Sequence, residues 1–251
     1  MSGIKYHIKS STQKWERVHR FKEIDLGVVH LWKLNLDSSK DKLIVLWNIL
    51  SSDEKDRANK FYFEKDRVHF VKCRASLRNL LGNYLGLKPA ELQFEYTEYG
   101  KPYLSDSTLQ FNVSHSNNKG LIAFSLENEI GVDIELINRE IKIEELANRF
   151  FSENEANIIM SLNENIRHRS FFKCWTRKEA FIKAQGEGLN IPLDKFEMSI
   201  LDTDEVKMRS IEWKNEKIDD WTLVSFDVDD DYIGALVLKN KLKKLDLFQL
   251  D

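Results

Sequence analysis

A chain of 251 residues, 42% of them hydrophobic, has the length and apolar content for one large domain or two small ones around a sizeable core. Its formal net charge of −3 gives no bulk electrostatic basis for binding nucleic acid, and no apolar run approaches the length of a membrane span. Met1 to Arg20 is too polar for a secretory signal, and Cys73 and Cys174 form no metal or redox motif, so a soluble, cytoplasmic protein with two buried thiols is expected.

Met1 to Asp25 shows weak periodicity and reads as a loose leader or a short strand. Val28 to Leu36 alternates, with Val29 and Leu31 on one side and His30, Trp32 and Leu34 on the other, which predicts a strand. Asp41 to Leu50 suits a short helix. Ser51-Ser-Asp-Glu54 carries the capping residues and early acids of a second helix. Lys65 to Leu85 is the longest helical pattern of the first half. Its apolar side runs through Phe70, Cys73 and Leu77, Arg67, Arg74 and Arg78 lie along it, and Gly86 closes it.

A short strand is predicted over Leu92 to Tyr96, and Gly100-Lys-Pro102 turns the chain. Leu109 to Ser114 alternates, with Phe111 and Val113 opposite Asn112 and Ser114. Leu121 to Leu126 and Ile130 to Leu136 read as a hairpin around Glu127-Asn-Glu129. Helices follow over Ile143 to Phe151, over Glu153 to Leu162 with Ser152 as its cap, and over Arg167 to Gln185. Three strands are then predicted, Phe196 to Ile200, Trp221 to Asp227 and Tyr232 to Leu238. The tail Lys239 to Asp251 fits no element by its pattern.

Two stretches carry the chemistry. At 100° per residue, Phe171, Phe172, Trp175 and Ile182 share one side of the last helix, and Glu179 falls inside that stripe. A carboxylate among apolar side chains is costly unless it is paired or holds a metal. Gly131-Val-Asp-Ile-Glu135 supplies the counterpart: on a strand Asp133 and Glu135 point to one face while Val132 and Ile134 point to the core. Taken alone, the pair is the solvated face of an edge strand. With Glu179 it becomes three oxygen-donor carboxylates, a set suited to a hard divalent ion, and Mg²⁺ fits best because it binds through a few carboxylates plus substrate phosphates. Mn²⁺ is the alternative ion. Lys178 and Lys183 border the stripe and would stand near a metal-held phosphate.

Tyr99-Gly-Lys-Pro102, Phe111-Asn-Val-Ser-His-Ser116, Ile130-Gly-Val-Asp-Ile-Glu135, Arg149-Phe-Phe-Ser152 and Trp175-Thr-Arg-Lys-Glu-Ala-Phe-Ile-Lys183, followed by Gly186 and Gly188, occur in order along the chain. This set resembles the 4′-phosphopantetheinyl transferase superfamily in its larger, surfactin-type class, over about residues 28 to 238. The resemblance implies an α+β pseudo-dimer of two similar halves, each a small, mainly antiparallel sheet packed with a long helix. Residues 1–127 would form an N-terminal half in contact with coenzyme A and the carrier, and residues 128–251 a C-terminal half with the metal motifs. It implies metal ligands at Asp133, Glu135 and Glu179, and coenzyme A contacts at Lys101, Ser114, His115, Lys178 and Lys183, with Arg74 a further candidate.

Where many relatives have Arg the chain has His69, and Glu54 and Arg57 stand at positions that relatives fill with basic residues near the 3′-phosphate. The implied reaction moves 4′-phosphopantetheine from coenzyme A to a serine of an apo acyl, peptidyl or polyketide carrier protein and releases adenosine 3′,5′-bisphosphate. Glu179 and Lys183 would be the catalytic residues. Either Glu179 or a metal-bound water would take the serine proton, and Pro102 to Gln110 would dock the carrier. A monomer without nucleic-acid or membrane partners is expected. The alternative is a catalytically impaired relative that binds coenzyme A or a carrier.

Overall fold

A computed structural model describes residues 6–8, 14–17, 22–137, 140–201, 206–214 and 216–250. The N-terminal half contains β1 (Tyr6–Ile8), β2 (Glu16–Arg17), β3 (Val28–Asn35), α1 (Lys40–Trp47), α2 (Ser52–Asn59) and the long α3 (Glu64–Leu85). It continues with β4 (Glu95–Tyr96), β5 (Pro102–Tyr103), β6 (Leu109–Ser116) and β7 (Lys119–Leu126). The C-terminal half runs through β8 (Ile130–Leu136), α4 (Ile143–Phe150), α5 (Glu153–Ser161) and the long α6 (Glu164–Gln185). It closes with β9 (Phe196–Met198), β10 (Met208–Ile211), β11 (Trp221–Asp229), β12 (Tyr232–Lys239) and β13 (Lys244–Leu250).

The halves repeat one plan. A strand leads to a long helix and then to a hairpin: β3, α3 and β6–β7 in the first, β8, α6 and β11–β12 in the second. The strands align as β3-β7-β6 and β8-β12-β11. Both long helices span 22 residues and end on a left-handed glycine, Gly86 and Gly186, as their sequence pattern requires. Ser152 caps α5 as predicted: its Oγ accepts from Glu155 N–H, and its own N–H donates to Glu155 Oε2.

Strand alternation dictates four layers. Val29 and Leu31 of β3 pack with Leu121, Ala123, Ile130, Val132, Ile134, Val224 and Leu236 in a core between the two sheets. The opposite faces carry separate cores: Trp32, Leu34, Ile122 and Phe124 with Leu77 and Leu81 of α3, and Ile233, Ala235 and Val237 with Phe181 and Ile182 of α6. The order is therefore helix, sheet, sheet, helix, with the apolar area of both strand faces removed from water.

Two expectations change. Glu127 to Glu129 is not a hairpin: β7 pairs with β3 and β6, whereas β8 pairs with β12, so the three residues cross from one sheet to the other. Both strands are apolar on alternate positions, and that pattern holds whether or not they pair with each other. The tail is not irregular either. β13 lies parallel to β3 in the N-terminal sheet, and β1 lies parallel to β11 in the C-terminal sheet, so each half takes a strand from the other end of the chain. The remainder of the leader read over Met1 to Asp25 lies partly outside the described residues. No helix among the described residues is long and apolar enough to cross a membrane, and Cys73 and Cys174 are buried and free.

Burial fixes one titration. His30 on β3 is 1% exposed, with Nδ1 hydrogen-bonded at 2.8 Å to Tyr84 Oη, which also accepts from Trp32 Nε1. Burial pushes its pKa from 6.5 down to about 4, although Asp246 opposes the shift. The unfolded chain thus binds a proton below 6.5 that the folded one refuses until about 4, so stability falls as pH falls through that window. Urea unfolding at pH 7 and pH 5 should show wild type losing about 2 kcal/mol more than His30→Gln. Equal losses in the two proteins would contradict this.

Candidate active site

The site begins at one glycine. At Gly131 a Cβ would lie 2.0 Å from the carbonyl oxygen of Ala180 and 2.4 Å from the amide nitrogen of Ala184, so α6 rests directly on β8. Residues two and four further along share Gly131's face. Asp133 and Glu135 are therefore aimed at α6, where Glu179 and Lys183 stand one turn apart on the near side. Edge strand β6 supplies the opposite wall. Ser114 Oγ donates to Asp133 Oδ1 at 2.8 Å, Ser116 Oγ donates to Glu135 Oε2 at 2.9 Å, and Asn112 Oδ1 accepts from the Val132 N–H at 3.0 Å. Alternate residues of β6 thus tie the two sheets together by side chains.

Lys183 occupies the centre. Its Nζ donates to Asp133 Oδ1 at 2.6 Å and to Ser114 Oγ at 2.9 Å. Burial alone would lower its pKa, but Asp133, Glu179 and Glu135 together raise it. Glu179 moves in a telling direction. Its carboxyl is pushed from 4.5 up to about 7, first by burial and then, against Lys183, by the charges of Asp133 and Glu135. Asp133 is 3% exposed, and its second oxygen, Oδ2, has no hydrogen-bond partner. Lys183 thus meets Asp133 through one oxygen only. Among the described residues no group of three acidic, histidine or cysteine side chains is already drawn together tightly enough to hold a metal ion. The unpartnered Asp133 oxygen, the raised Glu179 and the all-oxygen donor set nonetheless fit a hard divalent cation.

Beside this cluster opens a cleft of ≈ 300 Å³ between the halves. Its N-terminal wall is Phe70, Arg74 and Leu77 of α3 with Phe111, Val113 and His115 of β6, and its C-terminal wall is Lys183, Gly186 and Gly188. Tyr99 to Pro102 line the cleft as well. Arg74, which lines the cleft, is held by Glu54 at 3.6 Å and by the rings of Phe70 and Phe94, and its Nη1 is buried without a hydrogen-bond partner.

The structure therefore brings Asp133, Glu135, Glu179, Lys183 and Ser114 into one cluster and places Arg74, Lys101 and His115 along the adjoining cleft. Lys178 does not join them. It is fully buried on another face of α6, paired with Glu155 Oε2 at 2.7 Å and donating to the carbonyl oxygens of Leu193 and Phe196. A phosphate contact from there would need that network broken. The apolar stripe put Lys178 at its border, near a metal-held phosphate, but that edge of α6 is covered by Glu155 of α5 and Phe196 of β9. Removing the ammonium leaves Glu155 buried and unpaired, so Lys178→Met should cost about 3–5 kcal/mol in chemical denaturation. Adding Glu155→Gln should restore part of the loss, and no recovery in the double variant would speak against the pair.

Two further expectations change. Lys101 lines the cleft with its stem, but its Nζ donates to the carbonyl oxygens of Ala184 at 2.9 Å and Ile130 at 3.2 Å, so its charge ties the loop to the C-terminal half. Burial lowers its pKa to about 8. Glu54 is not a vacant phosphate contact but a buried anchor: it accepts from Arg78 Nε at 2.7 Å and from the Ser51 N–H at 3.0 Å. His69 is buried against Asp37 and does not line the cleft, whereas Arg57 does. Ser116 was missed as a partner of Glu135, although it continues the alternation of Asn112 and Ser114 and could have been read from it.

The sequence is similar to those of known proteins. A family model described as the 4′-phosphopantetheinyl transferase superfamily matches residues 129–237, and one described as 4′-phosphopantetheinyl transferase, N-terminal, matches residues 35–126. The 4′-phosphopantetheinyl transferase HetI of Nostoc sp. is 37% identical over 214 residues, 84% of this chain and 87% of the relative. The 4′-phosphopantetheinyl transferase Sfp of Bacillus subtilis is 30% identical over 154 residues, 61% of this chain and 67% of the relative. Among solved structures, a Thermotoga maritima holo-(acyl-carrier-protein) synthase overlaps with a TM-score of 0.34 and 22% identity, over 45% of this chain and 63% of that one. The two family models meet at the β7-to-β8 crossover, and the Nostoc relative spans most of both halves: the chain belongs to the 4′-phosphopantetheinyl transferase superfamily.

Proposed function

We propose that this protein transfers the 4′-phosphopantetheine group of coenzyme A to a serine of an apo acyl, peptidyl or polyketide carrier protein, releasing adenosine 3′,5′-bisphosphate in a magnesium-dependent reaction. The observation that carries this reading is the placement of Asp133, Glu179 and Lys183 at the edge of a cleft shared by both halves. Arg74, His115 and Lys183 line that cleft as cationic or hydrogen-bonding groups for phosphates, and Phe70, Leu77, Phe111 and Val113 give it apolar walls.

Asp133, Glu135 and Glu179 would hold the magnesium ion, which when bound supplies neutralising charge at the pyrophosphate. Lys183 contributes the chain's own positive charge toward the leaving phosphate as the bridging P–O bond breaks. Ser114 holds both Lys183 and Asp133 and so fixes their separation. The carrier hydroxyl attacks the phosphorus and must lose its proton. Glu179 is the carboxylate of the cluster assigned to take it.

Chromatographic detection of adenosine 3′,5′-bisphosphate tests the reaction. Release matching the amount of apo carrier added, and absent with a carrier whose serine is replaced by alanine, supports it. Release without a carrier, or none with any carrier class, contradicts it.

A further inference from the structure

Three negative groups on one face of β8 and α6 repel one another and need compensation. Lys183 of the chain itself supplies part of it. Lys183 reaches Asp133 Oδ1 at 2.6 Å, is steadied by Ser114 Oγ at 2.9 Å, and stands one helical turn from Glu179. It answers the cluster incompletely, because Asp133 Oδ2 stays buried and unpartnered. The lysine also has somewhere to go: it is 29% exposed and lines the cleft as well as the cluster.

We infer that Lys183 is the built-in counter-ion of the three-carboxylate site, occupying the charge position of the divalent cation in the metal-free protein and thereby setting how tightly that cation binds. Its ammonium holds the carboxylates in register without metal. It also repels an incoming divalent ion, so that affinity stays moderate until a phosphate in the cleft gives the lysine a second anion to face. Metal and coenzyme A binding are then coupled through one side chain. This inference rests on the magnesium site proposed above.

The test is Mn²⁺ binding to the coenzyme-A-free protein, read from the free-ion electron paramagnetic resonance signal. Lys183→Met should bind Mn²⁺ at least about tenfold more tightly than wild type. Lys183→Arg, which keeps the charge, should stay within about twofold. Lys183→Gln, which loses the charge but keeps a donor for Asp133, should tighten binding like the Met variant and serves if that variant folds poorly. Metal-free Lys183→Met should also melt below wild type and gain more on addition of Mg²⁺. Unchanged or weaker Mn²⁺ binding in both uncharged variants, with wild type binding normally, overturns the counter-ion role alone. Wild type that binds no Mn²⁺ overturns the metal site as well.

Discussion

Glu179→Gln is expected to lower phosphopantetheinyl transfer by at least about 10³-fold while leaving the fold intact. The amide removes a carboxylate that the site needs, whether to hold the cation or to accept the serine proton. It does so without changing the shape of α6, whose buried neighbours Phe172, Ile182 and Ala180 stay in place. Stability should move the other way. The carboxyl goes from 4.5 in the unfolded chain to about 7 in the folded one, so the folded site costs stability as pH rises between those values. Gln removes that cost. Metal-free Glu179→Gln should therefore melt at or above the wild-type temperature at pH 8. Lost activity with a lowered melting temperature would mean that Glu179 is structural, and retained activity would remove it from the reaction.

Gly131→Ala is expected to have the largest effect on the fold itself. The contacts a Cβ would make, 2.0 Å to Ala180 O and 2.4 Å to Ala184 N, are to helix backbone, which cannot turn aside as a side chain can. One methyl group must push α6 away from β8. That opens the packing of Ile233, Ala235 and Val237 against the helix, at about 3 kcal/mol or more. It also draws Glu179 and Lys183 off Asp133, and a displacement of about 1 Å at a reacting centre can cost on the order of 10²-fold in rate. Circular dichroism melts and transfer assays on the same preparation check both parts. A variant with wild-type melting and turnover would show that strand and helix are not in the contact described.

Much of the site was legible because it violates local expectation. Glu179 interrupts an apolar helical stripe, and Asp133 and Glu135 alternate with core residues on a strand. Each anomaly pointed to the other, and the fold puts them on facing surfaces. Lys178 was misplaced for the same local reason. Periodicity identifies the most apolar face of a helix, not how many faces are covered, and α6 is enclosed by β8 and β12 on one side and α5 on another. Its fully buried Lys178 and Arg177 are held by partners remote in sequence, such as Glu155 and Ser199. Glu54 belongs to the same class: only the fold brings Arg78 to it across 24 residues.

The strand pairings were less legible than the strands. β7 and β8 are adjacent in sequence and both alternate, yet they enter different sheets, while β13 finds β3 across more than two hundred residues. Alternation records which face is buried and says nothing about which edge is paired. Short elements such as β1 and β2 carry too few residues to show a period at all.

The most direct measurement is the intact mass of an apo carrier protein after incubation with coenzyme A, Mg²⁺ and this protein, run beside an EDTA control and the Glu179→Gln variant. The account predicts a gain of one phosphopantetheine unit that disappears with EDTA and with the variant. A gain that survives both would contradict the three-carboxylate site, and no gain on acyl, peptidyl or polyketide carriers would contradict the transferase reading itself.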